Sequence, residues 1–178
     1  MQNKKIKSSL EDKLQRYDAI ELLTLYRSYA RVGELTEAKI IRNYLEKLKC
    51  NNALEYYQKG CAFSKLNAYH QEALEAFSKA IELKPDYVEA YYMVGKNIKT
   101  RGKYEEAIKF FDKVIELEPS FLQAYLDKGW ALCELEKYEE ALEIFNKGIK
   151  FNPCIEELCS GKIWILNEIM QKKIGIGN

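Results

Sequence analysis

Residues 103–119 read KYEEAIKFFDKVIELEP, and residues 137–153 read KYEEALEIFNKGIKFNP. A looser copy, YHQEALEAFSKAIELKP, ends at Pro85. The prolines of the chain are Pro85, Pro119 and Pro153, and each follows the last by 34 residues. The chain therefore carries an internal repeat, and a period of this length is typical of stacked structural units.

Three more sets of residues recur at intervals of 34 or 35. They are the glycines Gly60, Gly95 and Gly129, the alanines Ala73, Ala107 and Ala141, and the phenylalanines Phe77, Phe111 and Phe145. Between them, apolar residues recur three and four apart, which predicts helices that are each buried on one face. Each unit is therefore predicted to be two helices joined by a short turn, with proline ending the second helix because it has no backbone N–H.

The small residues predict how the two helices of a unit pack. Glycine in the middle of a helix costs about 1 kcal/mol relative to alanine, so three such glycines need a compensation. We expect the glycine of the first helix to face the alanine of the second, with the phenylalanine filling the space between units. Asp86 or Ser120, after the prolines, is expected to cap the next helix.

The whole pattern resembles the tetratricopeptide repeat, a 34-residue helix–turn–helix. The matching residues are Tyr91, Gly95, Tyr104, Ala107, Phe111 and Pro119 in one unit, and Tyr125, Gly129, Tyr138, Ala141, Phe145 and Pro153 in the next. Tyr56, Gly60, Phe63, Ala73, Phe77 and Pro85 match with one extra residue in the turn. The resemblance implies an all-α fold, a right-handed superhelical solenoid of helix–turn–helix repeats.

The period divides the chain into successive segments. Residues 53–87, 88–121 and 122–155 are the three clear repeats, and residues 19–52 are interpreted as a degenerate first repeat that lacks the glycine and the proline. Residues 1–18 are expected to extend the first helix. Residues 156–178 are expected to form a capping helix with a frayed tail, because a stack of repeats exposes its last apolar face unless something covers it.

In the family, the first helix of each repeat lines a concave face, and the resemblance therefore implies a protein-binding scaffold or adaptor. The positions that would face this groove are Tyr57, Cys61, Tyr92, Lys96, Lys99, Leu126, Trp130 and Cys133. Tyrosine and tryptophan are common binding anchors, and Lys96 and Lys99 would add a basic patch. Such a lining suits an amphipathic partner helix or peptide with apolar anchors and some acidic residues.

A plainer interpretation of the same residues stays open. Trp130 and Trp164 would also be explained by packing between neighbouring helices, and Lys96 and Lys99 by simple solvation. Some members of the family hold the acidic tail of heat-shock chaperones with a clamp of lysines, asparagines and an arginine. The matching columns here hold Tyr57, Cys61, Met93, Gln123 and Asp127, so the clamp is not rebuilt and chaperone-tail binding is not expected.

Composition disfavours several other classes of protein. Lys+Arg (28) and Asp+Glu (27) nearly cancel, which argues against a nucleic-acid partner held through phosphates. We see neither a secretory signal nor a span that would cross a membrane, and five cysteines without a CxxC pair fit free thiols, so a cytoplasmic protein is expected. With His70 as the single histidine, we expect no metal, no cofactor and no enzyme activity.

Two alternative functions are kept. The first is self-association through the C-terminal helix, which is apolar over more than one face. The residues concerned are Ile163, Trp164, Leu166, Ile169 and Met170. The second is binding of structured RNA, as some helical-repeat arrays do, although the near-zero net charge speaks against it.

Overall fold

The computed structural model describes residues 13–33, 35–66, 69–151 and 156–174, with backbone alone for residue 35 and residues 172–174. Within these ranges the chain forms nine long helices and no strand. They are α1 (Ala19–Arg31), α2 (Leu35–Lys47), α3 (Ala53–Ser64), α4 (His70–Leu83), α5 (Val88–Lys99), α6 (Tyr104–Leu117), α7 (Leu122–Glu134), α8 (Tyr138–Phe151) and α9 (Glu156–Ile174). None of these helices is both long enough and apolar enough to span a bilayer.

The chain divides into two compact units, which we call unit 1 (Met1–Pro85) and unit 2 (Asp86–Asn178). In unit 1, α1 pairs with α2 and α3 pairs with α4, and α1 also packs on α3. In unit 2, α5 pairs with α6 and α7 pairs with α8, while α9 packs against both α7 and α8. The all-α fold built of helix–turn–helix repeats is therefore confirmed.

The core of each of the three clear repeats contains the repeated phenylalanine. Phe77, Phe111 and Phe145 are all fully buried. A Cβ added to Gly60 would come within 2.6 Å of the Phe77 ring, and one added to Gly129 would come within 2.6 Å of the Phe145 ring. The predicted partner of the glycine was wrong, since it is the phenylalanine ring of the second helix, and not the alanine, that occupies the space left by the missing side chain.

Two glycines lie against the ring of Phe145. One is Gly129, and the other is Gly161 on α9, where an added Cβ would come within 2.9 Å of the ring. Two residues of α9, Leu158 and Ile165, are completely buried in the same core. The last helix thus covers the final repeat, as a capping helix does.

Two helices of unit 1, α1 and α3, begin with a side-chain cap, whereas α4 begins after Tyr69 without one from a described residue. Asp18 and Glu21 form a capping box at α1: Asp18 Oδ1 accepts from the backbone N–H groups of Ile20 and Glu21, each at 2.8 Å. At α3, Asn52 Oδ1 accepts from the N–H of Glu55 at 2.9 Å. A side-chain cap satisfies N–H groups that have no partner inside the helix.

The predicted caps at Asp86 and Ser120 are wrong. The residues that precede α5 and α7 are Tyr87 and Phe121, and neither helix receives a side-chain hydrogen bond at its N-terminus from the described residues. Tyr87 is only 9% exposed, so burial of its ring, rather than a polar cap, sets the place where α5 begins.

Part of the first predicted segment lies outside the described residues. Of residues 1–18, residues 1–12 lie outside the described ranges, and so do the loop 152–155 and the tail 175–178. Asp18 itself has an extended backbone, with φ −76° and ψ 176°. Helix α1 therefore starts at Ala19 as an element of its own.

Candidate functional site

The first helices of unit 2 lie side by side, since α7 contacts both α5 and α9. On α5, Tyr92, Lys96 and Lys99 are spaced four and three residues apart, which places them on one side of that helix. Trp130 on the neighbouring helix α7 meets Trp164 on α9. We call the surface of Tyr92, Lys96, Lys99, Trp130 and Trp164 the first-helix face.

A buried carboxylate joins α5 to α7 at this face. Asp127 is 7% exposed. The Tyr92 hydroxyl donates to its Oδ2 at 2.7 Å, and the Lys99 ammonium donates to its Oδ1 at 2.5 Å. A buried charge requires a partner of opposite charge and hydrogen bonds to its free oxygens. Both oxygens of Asp127 are therefore satisfied by side chains from the neighbouring repeat.

The environment of Tyr92 fixes both its position and its protonation. Its ring lies 5.0 Å from that of Phe121 and 6.1 Å from that of Phe111, measured between centres. Burial, followed by the hydrogen bond to Asp127, raises the pKa of Tyr92 well above its usual value. The hydroxyl is therefore a neutral donor, and the exposed part of the ring is the part left for a ligand.

The two predicted lysines have different roles. The charge of Lys99 is offset by Asp127, to which it is bound across the repeats. Lys96 is exposed, and its ammonium lies 5.9 Å from the centre of the Tyr92 ring. The basic patch predicted from the sequence is thus reduced to one lysine beside an aromatic ring.

Aromatic side chains dominate the other end of the first-helix face. The ring centres of Trp130 and Trp164 are 5.6 Å apart, and Trp164 also meets the Tyr138 ring edge-on at 6.2 Å. Trp130 packs edge-on against Phe145 of the core at 5.8 Å. Trp164 nevertheless remains 41% exposed. Both tryptophans therefore pack on the helices, and one of them also offers apolar surface.

Leu126 and Cys133 are less available than the sequence suggested. Leu126 is half-buried and packs against the core of unit 2, and Cys133 is a member of that core at 6% exposure. Burial, followed by the nearby charge of Glu134, raises the pKa of the Cys133 thiol to about 11. The core position of Cys133 leaves it little surface for a ligand.

The remaining two predicted groove residues belong to unit 1. Tyr57 and Cys61 stand one turn apart on α3, and both are half-buried. The Tyr57 ring lies 5.8 Å from the buried Phe77 ring. Burial raises the pKa of the Cys61 thiol above its usual value. Within unit 1 they repeat, one repeat earlier, the positions of Tyr92 and Lys96.

Two residues at this site, Trp164 and the buried Asp127 that holds Tyr92 and Lys99, were not among the predicted groove residues. Asp127 stands three residues after Ala124 and four before Ala131, both completely buried. The helical period therefore places the carboxylate on the buried stripe of α7, and a buried carboxylate demands a cation nearby. For Trp164 the only signal is that it follows Trp130 by 34 residues.

The described residues contain no group of three or more His, Cys, Asp or Glu side chains that could hold a metal ion. Cys50, Cys61, Cys133 and Cys159 form no disulfide among the described residues, and Cys154 lies outside the described ranges. The chemistry on the first-helix face is therefore that of aromatic surface, one exposed ammonium and one buried ion pair.

Sequence comparison gives two family matches. Residues 52–119 match the family model described as regulator of microtubule dynamics protein 1-3. Residues 100–153 match a model of the tetratricopeptide repeat. No curated protein matches the chain.

Three solved structures illustrate the likeness of the fold. The first TPR of Spaghetti (RPAP3), bound to the HSP90 peptide SRMEEVD, is 20% identical over 69% of this chain and 97% of its own, with a TM-score of 0.63. The second TPR domain of human RPAP3, in complex with the HSP70 peptide SGPTIEEVD, is 23% identical over 64% of this chain and 93% of its own, with a TM-score of 0.59.

A crystal structure of MamA is 26% identical over 83% of this chain and 86% of its own, with a TM-score of 0.61. The residues that match the repeat model include the two near-identical stretches that revealed the period. The repeated sequence and the helical hairpins together show that the chain has the fold of the tetratricopeptide repeat.

Proposed function

We propose that the chain is a protein-interaction adaptor that binds a peptide or a partner helix on its first-helix face. The observation that carries the proposal is Trp164, which is 41% exposed beside Trp130 on the helices that line binding grooves in this fold. A large aromatic side chain held by its neighbours and open to solvent is typical of a binding anchor. Solved relatives in complex with peptides support the same role.

The charges on the face favour an apolar ligand with a single acidic contact. Lys99 is already neutralised by Asp127, so it has no net charge to offer. Lys96 is the lysine of the face that a ligand carboxylate would meet. We therefore expect an amphipathic segment whose aromatic or aliphatic side chains pack on Tyr92 and Trp164, with one Asp or Glu near Lys96.

The chaperone peptides bound by the two relatives are not the ligand that we propose. Those peptides end in EEVD and carry several carboxylates. In this chain the carboxylate of Asp127 already lies between α5 and α7 and forms an ion pair with Lys99. A second carboxylate placed there would be repelled, so a peptide ending in EEVD should bind weakly or not at all.

Affinity capture from the source organism tests the proposal with three forms of the full chain. The wild type is compared with Trp164→Ala, which removes the exposed anchor, and with Leu54→Ala, which removes an exposed apolar side chain of unit 1. The proposal expects partners that Leu54→Ala retains and Trp164→Ala loses. Partners held equally by all three forms would contradict it, provided that thermal unfolding shows each variant to be folded.

Microtubules are a further probe, because residues 52–119 match the family model described as regulator of microtubule dynamics protein 1-3. Co-sedimentation of the wild type, but not of Trp164→Ala, would identify the partner of the first-helix face. Equal co-sedimentation of both would assign microtubule binding to another surface.

Self-association is a second candidate, and one feature of α9 favours it. Ile163, Leu166 and Met170 follow one another at three- and four-residue spacing and are 60%, 38% and 57% exposed. Ile169 packs on the core instead, and Trp164 belongs to the aromatic group with Trp130. An exposed apolar stripe on a surface helix tends to mark a contact surface.

Light scattering at rising concentration tests this second candidate. A dimer that Ile163→Glu converts to a monomer would support it. A wild-type monomer at every concentration, or a dimer that Ile163→Glu leaves intact, would remove it.

A further inference from the structure

The second helices of unit 2 enclose a groove that is distinct from the first-helix face. It has a volume of about 340 Å³ and lies between α6 and α8, with α7 as its floor. We call it the outer groove. Ile115, Ile144 and Phe151 supply its apolar wall, and Lys128, Lys147 and Lys150 supply its charge.

The charge of the outer groove departs from the pattern of the repeat. In α4, Lys79 pairs with Glu82 three residues later at 2.5 Å, and in α6 Lys113 pairs with Glu116 at 2.8 Å. The same two positions in α8 hold Lys147 and Lys150. A helical ion pair is thus replaced by two like charges, and no ion pair from a described residue reaches either lysine.

Unit 1 contains the equivalent groove and shows that positive charge is not required by the fold. That groove has a volume of about 510 Å³, and its lining includes Glu46, Glu72, Glu75 and Glu82. Its floor carries Tyr56 and Lys59 where the outer groove has Tyr125 and Lys128. The same frame therefore supports an acidic lining in one unit and a basic lining in the other.

Side-chain contacts hold the floor of the outer groove in place. Lys128 is 14% exposed and donates to Asp112 Oδ1 on α6 at 2.5 Å. The Tyr125 hydroxyl donates to the backbone carbonyl of Pro119 at 3.0 Å, and its ring lies 5.8 Å from that of Phe151. Because Asp112 offsets Lys128, the positive charge that no described residue pairs with lies on Lys147 and Lys150 at the rim.

Phe151 is the apolar feature that a partner would meet first. It is 52% exposed at the end of α8, and it lies over the same cavity that Ile115 and Ile144 line. Leaving a large aromatic side chain half in water costs free energy that contact with another apolar side chain recovers. The volume is at the lower end of the range for ligand sites, which fits one or two side chains rather than a drug-sized molecule.

We propose that the outer groove binds an acidic segment of a partner protein that inserts one bulky apolar side chain against Phe151. The inserted side chain fills the space between Ile115 and Ile144. Flanking carboxylates of the segment pair with Lys147 and Lys150. The apolar lining of Ile115 and Ile144 favours a polypeptide over a nucleic acid, because the sugar and base edges of a nucleotide would lose water there without gaining hydrogen bonds.

Fluorescence anisotropy on the full chain tests this directly. The probe is a labelled peptide in which Phe-Leu is flanked on both sides by glutamates, and a second probe replaces Phe-Leu with Ser-Ser. The key variant is Lys150→Glu, which restores the Lys-x-x-Glu pair seen in the two preceding repeats and should therefore fold normally. Lys137→Glu, at an exposed lysine before α8, makes the same change of net charge away from the groove.

The proposal expects the Phe-Leu peptide to bind the wild type and Lys137→Glu alike. It expects Lys150→Glu to weaken binding about tenfold or more, and the Ser-Ser peptide to bind much more weakly than the Phe-Leu peptide. No binding to the wild type, or equal loss in both variants, would overturn it. So would a labelled RNA oligonucleotide that binds more tightly than the peptide and loses affinity with Lys150→Glu. Trp164→Ala should leave this binding unchanged, which separates it from the first-helix face.

Discussion

Replacing Gly129 by alanine tests the packing argument on which the repeat depends. In an isolated helix this change is favourable by about 1 kcal/mol. In this chain the new Cβ would lie 2.6 Å from the Phe145 ring, which is roughly 1 Å closer than the usual contact between carbon atoms. The ring is fully buried and also lies against Gly161, where an added Cβ would come within 2.9 Å, so its neighbours oppose any movement of the ring.

The expected magnitude follows from these two opposed effects. Overpacking a closed core costs about 1–3 kcal/mol, and the rigid surroundings of Phe145 place this site near the upper end. After the gain in helix propensity, Gly129→Ala should destabilise unit 2 by about 1–2 kcal/mol. The sign of the change in unfolding free energy is informative, because a mutation that favours the isolated helix should destabilise the folded protein.

Equilibrium unfolding in urea, followed by tryptophan fluorescence, measures this effect. Trp130 and Trp164 are the only tryptophans and both belong to unit 2, so the signal reports on that unit. The matched variant is Phe145→Leu, which alone leaves part of a cavity and should cost about 1–2 kcal/mol. The double variant should be more stable than the sum of the two losses predicts, by about 1 kcal/mol, because the smaller side chain admits the new methyl group.

Two results would refute the reasoning. If Gly129→Ala is as stable as the wild type or more stable, the glycine is not required by Phe145. If the double variant shows strictly additive losses, the two residues do not compete for the same space.

Three other predictions concern single groups. Because the pKa of Tyr92 is raised in the folded protein, the unfolded chain releases the phenolic proton at a lower pH, so the stability of unit 2 should fall as the pH rises above the ordinary pKa of 10.0. The loss of stability should be smaller in Tyr92→Phe, which has no phenolic proton. Urea unfolding of both proteins below and above pH 10 measures this, and equal losses in the two proteins would contradict it. The pKa of Cys133 is raised from 9.0 to about 11, which makes its thiolate about a hundredfold rarer near neutral pH. Mass spectrometry after alkylation should therefore find Cys133 modified more slowly than the half-buried Cys159. Equal rates would contradict the burial of Cys133. Asp18→Ala should destabilise α1 by about 1 kcal/mol, because the capping hydrogen bonds are lost. Hydrogen exchange should then be faster at the backbone amides of Ile20 and Glu21. Unchanged exchange rates would mean that the capping box does not stabilise the helix.

The period, the helical pairs and the capping helix could be predicted because they depend on local spacing. Proline at 34-residue intervals and apolar residues three and four apart fix where helices begin and end. The orientation of one helix about its own axis is not determined in that way. For this reason the glycine column was paired with alanine in the prediction, whereas in the structure Gly129 faces Phe145.

The first-helix face was predicted only in part because its polar contacts cross between repeats at irregular separations. Lys99 and Asp127 are 28 residues apart, and Tyr92 and Asp127 are 35 apart. The first separation is not a repeat length, so comparing equivalent positions could not pair the lysine with the carboxylate. Cys133 occupies the equivalent position to Lys99, yet it lies in the core next to α9, where the end of the stack changes its surroundings.

The side-chain caps at α1 and α3 bear on how the polypeptide acquires its structure during translation. Both lie in the half of the chain that leaves the ribosome first, and each helps the first turn of a helix to form, which is the costly step in helix nucleation. Helices α4, α5, α6 and α7 receive no such help from a described side chain, so they must wait for tertiary neighbours. Synthesis from the N-terminus therefore delivers the capped helices α1 and α3 before the uncapped helices of unit 2, and α4 can pair with α3 as soon as it emerges. A nascent chain paused after unit 1 should already be protected from proteases.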